Sequence, residues 1–205
     1  YAAMGFKVFK VKTGMDVHED IERIKALYTS FGKDYTIRVD ANQGYDLAQL
    51  KLFLKATSSY PLELIEQPLK VGNEKDLLQL SAAERKYLTA DEALKDPHAA
   101  LQLAAGEHAF GIYNIKLMKC GGLLGAKEIA TIAQHAGIDL FWGCNDESII
   151  SITAALHMAY ACSNTKNIDL DGCFDLMEDL VTGGFEVKDG CLVINDAAGF
   201  GFTKI

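Results

Sequence analysis

Six polar residues and one Gly-Cys turn recur at nearly even spacing along this chain, each closing a short run with strand character. They are Lys12, Asp40, Glu66, Asp91, Lys116, the Gly143-Cys144 turn and Asp169, and the successive intervals are 28, 26, 25, 25, 28 and 25 residues. Each interval is close to one βα unit of a TIM-type barrel, which spreads roughly 250 residues over eight units. A doubly wound open sheet gives similar intervals but does not usually set a lone charged residue at the tip of strand after strand. In a barrel those tips converge on one mouth, where a ring of charges reads as a catalytic site.

The expected strands are Phe6–Lys12, Tyr35–Asp40, Leu62–Glu66, Tyr87–Ala90, Gly111–Leu117, Asp139–Gly143 and Asn167–Leu170. Helical patterns lie between them. Glu19–Phe31 places Ile21, Ile24, Leu27 and Phe31 on one face, with Gly32 as a stop. Asp96-Pro97 opens another helix with a capping carboxylate and a proline at the first helical position. Ala126–Ala136 ends at Gly137, and Ile149–Ala161 is apolar enough to be largely buried. Alternating strand and helix with short connections means parallel strands and right-handed crossovers. Seven strands are counted where a closed barrel of this type has eight. The tail Phe185–Asn195 alternates like a hairpin with its turn at Asp189-Gly190.

Composition removes several classes of function. With 20 Lys and Arg against 28 Asp and Glu the net charge is −8, and no basic run is present. A nucleic-acid or anionic-membrane surface is therefore not expected. No apolar stretch approaches the roughly 18 residues of a membrane-spanning helix, and no signal peptide opens the chain. Cys120, Cys144, Cys162, Cys173 and Cys191 are odd in number, widely spaced and without a CxxC pair. They read as reduced thiols of a cytoplasmic protein. Tyr1 in the initiating position fits a processed or truncated chain.

Asp40, Glu66 and Asp91 are carboxylates on three consecutive strand ends. Taken singly, each is an ordinary solvated or salt-bridged loop residue. Gathered in one mouth they would repel one another and lose hydration, a conflict that a hard dication removes. Three oxygen ligands with positions left for water or substrate suit octahedral Mg²⁺. Lys10 and Lys12 alternate along the first strand and share a face, so Lys10 lies inward beneath Lys12. Two neighbouring ammonium groups lower each other's pKa and leave one able to act as a base. Lys116 follows four units along, across the same mouth. Two bases flanking a metal are what a racemase or epimerase requires. Asp169 and Asp171 bracket Leu170 with both carboxylates on one side. They could cap the next segment, ligate a second metal or hold a substrate ammonium group. His18, His98, His108, His135 and His157 fall on helices or loops, which disfavours a histidine base. Phe141 and Trp142 read as core, and Gly121-Gly122 lacks the pattern of a phosphate loop.

With these residues in place the chain resembles the enolase superfamily in its muconate-lactonizing branch. The resemblance runs through Lys10-Val11-Lys12, Asp40-Ala41-Asn42, Glu66-Gln67-Pro68, Asp91-Glu92, Asn114-Ile115-Lys116 and Cys120-Gly121-Gly122. Asp169-Leu170-Asp171 is similar to the pair that marks dipeptide epimerases within that branch. The implied fold is the superfamily's α/β (β/α)8 TIM-type barrel, incomplete here, without the N-terminal capping domain and the first strand. Residues 1–184 would form the partial catalytic barrel. Residues 185–205 would form a tail that packs on the capping domain of a longer enzyme; that the chain as given is a non-catalytic fragment is one alternative reading. A lysine base working beside magnesium is the established pattern of that superfamily.

The implied reaction is Mg²⁺-dependent epimerisation of a dipeptide by 1,1-proton transfer at the α-carbon of its C-terminal residue, through a metal-stabilised enediolate. By the same resemblance Asp40, Glu66 and Asp91 would hold Mg²⁺, and Lys12 and Lys116 would be the acid/base pair supported by Lys10. Asp169 and Asp171 would bind the α-ammonium group, and Asn42, Gln67 and Glu92 would support the metal ligands. Ala-Glu-type dipeptides are the best-known substrates of such enzymes. An o-succinylbenzoate synthase or cycloisomerase of the same superfamily is the alternative. The reading is compatible with a homo-oligomer.

Overall fold

Local chemistry starts and stops each helix. In the computed structural model, which describes residues 1–205 apart from the side chain of Lys33, the first strand is β1 (Val8–Lys12), and α1 (Val17–Phe31) follows. The Asp16 carboxylate caps α1 by accepting the His18 and Glu19 N–H groups at 2.8 and 3.1 Å. Gly32, at φ 71°, ends it. β2 (Thr36–Asp40) leads to α2 (Leu47–Thr57), which the periodicity above did not single out. There Asp46 and Gln49 form a reciprocal capping box, and Leu50 and Phe53 are fully buried. β3 (Leu62–Glu66), α3 (Ala82–Arg85) and β4 (Leu88–Ala90) complete this run. Further on lie α4 (Pro97–Leu103), capped by Asp96 as expected, then β5 (Ile112–Ile115), α5 (Leu117–Cys120), α6 (Gly122–Ala136) and β6 (Asp139–Trp142). α7 (Ile149–Ala161) and β7 (Thr165–Ile168) end the alternation.

The chain divides into two compact units, one of residues 7–93 and 105–112, the other of residues 1–6, 94–104 and 113–205. In the first, β1 to β4 are neighbours in sequence order and parallel. Their register sets Lys12 opposite Asp40, Asp40 opposite Glu66, and Glu66 opposite Thr89. The 28- and 26-residue intervals of the sequence are thus one lateral step each. Val39, Leu64, Leu88 and Ala90 are solvent-free. Strands buried on both faces read as continuous apolar runs, which is why these segments were legible.

In the second unit β5, from Tyr113 on, β6 and β7 follow one another, and β6 pairs with β7 in parallel. β7 starts two residues earlier than expected. The Asn164 carbonyl already accepts the Leu140 N–H at 2.8 Å, and Thr165 pairs with Leu140. Asp169 therefore lies just past the strand, its N–H given to the Trp142 carbonyl at 2.8 Å. Tyr113, Phe141 and Trp142 are fully buried, and the Trp142 indole donates to Thr165 Oγ1 at 2.9 Å. The four last strands are β8 (Val181–Gly183), β9 (Phe185–Lys188), β10 (Cys191–Ile194) and β11 (Phe202–Lys204). β9 and β10 form a hairpin through Asp189 and Gly190, at φ 51° and 75°. Left-handed backbone at both turn residues matches the twist of a tight hairpin. The pairing of β8 with β11 has no counterpart in the sequence expectations. Among the described residues no helix is long and apolar enough to cross a membrane.

Candidate active site

In the first unit, the row of strand ends created by the register carries two lysines and two carboxylates. Lys12 Nζ donates to Asp40 Oδ2 at 2.6 Å and to Asn42 Oδ1 at 3.0 Å. One residue pair deeper, Lys10 Nζ lies 3.5 Å from Glu66 Oε2. The environments differ sharply. The Lys12 side chain is 67% exposed and that of Lys10 18%, whereas the carboxylates they face are buried. Alternation along β1 placed both ammonium groups on one face, and depth divides their partners.

Glu66 is under electrostatic tension. Burial pushes its carboxyl up to about 8; Lys10 opposes that rise, while Asp40, Asp91 and a hydrogen bond with the Asp91 carboxyl add to it. Three acidic side chains that cannot all be charged in a dry site are what a dication makes compatible. Glu92 adds a buried Oε2 with no hydrogen-bond partner. Among the described residues no three His, Cys, Asp or Glu side chains are already drawn around a common point for a metal. Asp40 Oδ2 is engaged by Lys12. In chemistry the donor set still fits Mg²⁺: hard oxygens only, with two lysines to offset the charge left on them.

Amide side chains brace the loops that carry these acids. Asn42 (φ 42°) gives its N–H to Asp40 Oδ1 at 3.0 Å, and its Nδ2 reaches Glu92 Oε1 at 3.4 Å. Gln67 is 1% exposed. Its Oε1 accepts the Asp91 and Ala93 N–H groups at 3.0 and 3.1 Å, and its Nε2 donates to the Leu69 carbonyl at 3.0 Å. A third amide was not found by sequence reasoning. Gln43 (φ 68°) gives its N–H to the Gln67 carbonyl at 2.7 Å and accepts the Val71 N–H at 3.1 Å. The one signal for it was its place between Asn42 and Gly44, in a stretch suited to left-handed turns.

Lys116, Asp169 and Asp171 belong to the second unit. Lys116 is half-buried at the junction of β5 and α5, and its carbonyl accepts the Lys119 and Cys120 N–H groups. Gly121 and Gly122, at φ 89° and 76°, turn the chain from α5 into α6. Asp169 and Asp171 are half-buried on either side of buried Leu170. The Cys144 thiol is 3.2 Å from the Asp169 carbonyl and 3.9 Å from Asp171 Oδ1. Burial first, then the charges of Asp169, Asp171 and Glu147, push that thiol up to about 12. Glu147, absent from the sequence reading, is buried and accepts the Asn145 N–H at 2.8 Å and the Ser151 hydroxyl. Its role is to close the turn after β6. No histidine stands at a strand end; His18, His98, His135 and His157 are helical and His108 is in a loop.

Comparison with known proteins places the chain among related sequences and structures. An "L-Lys-D/L-Arg epimerase" of Desulforapulum autotrophicum is 47% identical over 205 residues, covering 100% of this chain and 58% of its own. The crystal structure of a dipeptide epimerase from Methylococcus capsulatus complexed with Mg ion superposes with a TM-score of 0.97 at 47% identity, over 100% of this chain and 59% of that one. The Methylococcus enzyme complexed with Mg and the dipeptide L-Arg-D-Lys gives 0.95 at 48% identity, over 98% and 57%. The chain thus spans a little under three fifths of the length of each of these proteins. The fold class is an α/β (β/α)8-type barrel with seven of its strands, and the enolase C-terminal domain-like model matches residues 1–204. The chain belongs to the enolase C-terminal domain-like family.

Proposed function

We propose that this protein is a Mg²⁺-dependent dipeptide epimerase acting on cationic dipeptides, by proton removal and return at the α-carbon of the C-terminal residue. The observation that carries the proposal is the row Lys12, Asp40, Glu66 in lateral register, with Lys10 against Glu66 and the Asp91 carboxyl hydrogen-bonded to it. Asp40, Glu66 and Asp91 would hold the ion. When bound, it supplies positive charge to the substrate carboxylate as the neighbouring C–H bond breaks.

The chain's own residues do the rest. Lys12, exposed and held by Asp40 and Asn42, is able to swing to a substrate while keeping a polar contact for its ammonium state. Lys10 supports Lys12 by keeping positive charge beneath the acids. Lys116 is the second acid/base group, returning a proton to the other face of the α-carbon. Asp169 and Asp171 accept the substrate's α-ammonium group. Asn42, Gln67 and Glu92 hold the acid-bearing loops in place. The cationic preference rests on two relatives named for Lys and Arg dipeptides, at 47% and 48% identity. Five free cysteines favour a cytoplasmic setting. The acidic balance argues against nucleic-acid and anionic-membrane partners, and a homo-oligomer is compatible with it.

The test is isotope exchange. Full-length protein with Mg²⁺ and L,L-dipeptides of Lys and Arg in D₂O is expected to deuterate the α-carbon of the C-terminal residue and to accumulate the second epimer. Absence of exchange across cationic, hydrophobic and acidic dipeptides rejects the proposal.

A further inference from the structure

We infer that Asp20, acting through Arg23 and Tyr45, is a positioning residue for Lys12; the inference rests on the acid/base role proposed above for that lysine. Asp20 lies in the first turn of α1 and is 1% exposed. It is not needed to cap the helix, which Asp16 already does. Both of its oxygens are nonetheless committed. Oδ2 accepts the Gly14 N–H and the Tyr45 hydroxyl, each at 2.8 Å, and Oδ1 accepts Arg23 Nη1 at 2.6 Å. The same Arg23 nitrogen donates to the Lys12 carbonyl at 3.2 Å.

Together with the Thr13 N–H on the Asp40 carbonyl at 2.8 Å, these bonds pin two consecutive peptide groups, Lys12–Thr13 and Thr13–Gly14, just where β1 ends. The loop has no slack behind them. A Cβ on Gly14 would sit 2.1 Å from the Ala41 carbonyl oxygen, and one on Gly44 would sit 2.0 Å from the Gly14 oxygen. Only glycine allows so close an approach, and Gly14 also requires its φ of 96°. Lys12 needs this anchorage. Its exposed side chain has four rotatable bonds and no packed walls, so the position of its amine is set by the backbone it springs from and by two polar contacts. Burying a carboxylate costs several kcal/mol unless its partners are all in place. A fully partnered one behind the strand end is a stiff hinge pin for the residue in front.

A general stabilising role and a role toward Lys12 differ in symmetry. Lys12 serves one epimer of the substrate and Lys116 the other, so displacement of Lys12 slows α-hydrogen exchange from one epimer only. In Mg²⁺-loaded full-length protein, exchange in D₂O is measured separately from each C-terminal epimer. Asp20→Asn and Arg23→Gln are expected to slow the epimer that Lys12→Ala abolishes by about tenfold or more, and the other by less than about threefold. Arg23 is half-exposed, so its substitution tests the inference even if Asp20→Asn does not fold. A second readout is free of turnover: in the metal-free protein, amide exchange at Thr13 and Gly14 rises in both variants while Phe9 and Val11 keep their protection. Equal slowing of both epimers, or unchanged protection at Gly14, overturns the inference while the function stands. A wild-type protein that exchanges neither epimer overturns the function and this inference with it.

Discussion

Replacing Gln67 by alanine isolates what the buried amide does for the acidic loops. The wild-type side chain makes three hydrogen bonds and is shut off from water. Alanine leaves the N–H groups of Asp91 and Ala93 and the carbonyl of Leu69 without these partners. Each orphaned buried group costs about 1–3 kcal/mol, and water entering the vacated space recovers part of that, so a loss of about 3–5 kcal/mol is expected. That is a large share of the roughly 5–15 kcal/mol that holds a domain folded. Urea unfolding at constant slope measures the loss, and hydrogen exchange at the Asp91 and Ala93 amides locates it. Gln67→Glu is the companion variant. It keeps an acceptor for both N–H groups but turns a second oxygen toward the Leu69 carbonyl, and it lies beside the acids already in conflict. Because Asp91 is placed by this bond, Mg²⁺ affinity is expected to fall by about 10–100-fold in both variants. A stability change below about 1 kcal/mol with full protection at both amides would refute the reasoning.

Three other outcomes are expected. In metal-free protein, Glu66 at about 8 holds its proton more tightly folded than unfolded, where its value is 4.5. Unfolding free energy should therefore fall as pH rises between those two values, and saturating Mg²⁺, which favours the charged form, should flatten that slope; melting with EDTA or with Mg²⁺ across this range decides it. Cys144, at about 12, keeps only ~10⁻⁴ of its thiol as thiolate at pH 8, against about a quarter for an ordinary cysteine. Alkylation followed by mass spectrometry should label exposed Cys191 first, and equal labelling of Cys144 would contradict the burial argued here. Asp169→Asn should lower dipeptide turnover by about 10²-fold, by removing one charge from the pair proposed to meet the substrate ammonium. A cycloisomerase, which binds no such group, would be spared, and an unaffected rate would move the reading toward that chemistry.

Much of the frame was visible in the residues because parallel strands buried on both faces leave compact apolar runs, and a charge at each tip marks where the run ends. Leu62–Glu66 has the expected limits for this reason, and helix Ile149–Ala161 has them because Ser148 caps its start and its run is apolar throughout. Helix α2 escaped notice because Leu50, Phe53 and Thr57 make a short buried stripe whose strongest marker, the Asp46–Gln49 box, is chemical rather than periodic. β7 began early because pairing of Thr165 with Leu140, a long-range contact, extends the strand back past the polar Lys166 and Asn167. Gln43 and Asp20 look like ordinary polar residues along the chain. Only the approach of loops separated by tens of residues gives their side chains something to hold.

The order and chemical type of the strand-end groups follow from the chain alone, since a compact apolar run closed by a polar residue marks each strand and its end. Depth and partnership were decided by the tertiary structure. It assigns Asp40 to Lys12 and Glu66 to Lys10, and it buries Glu66 until its carboxyl resists ionisation. The strength of a charge–charge interaction depends on distance and on the surrounding dielectric, and neither exists until distant segments pack.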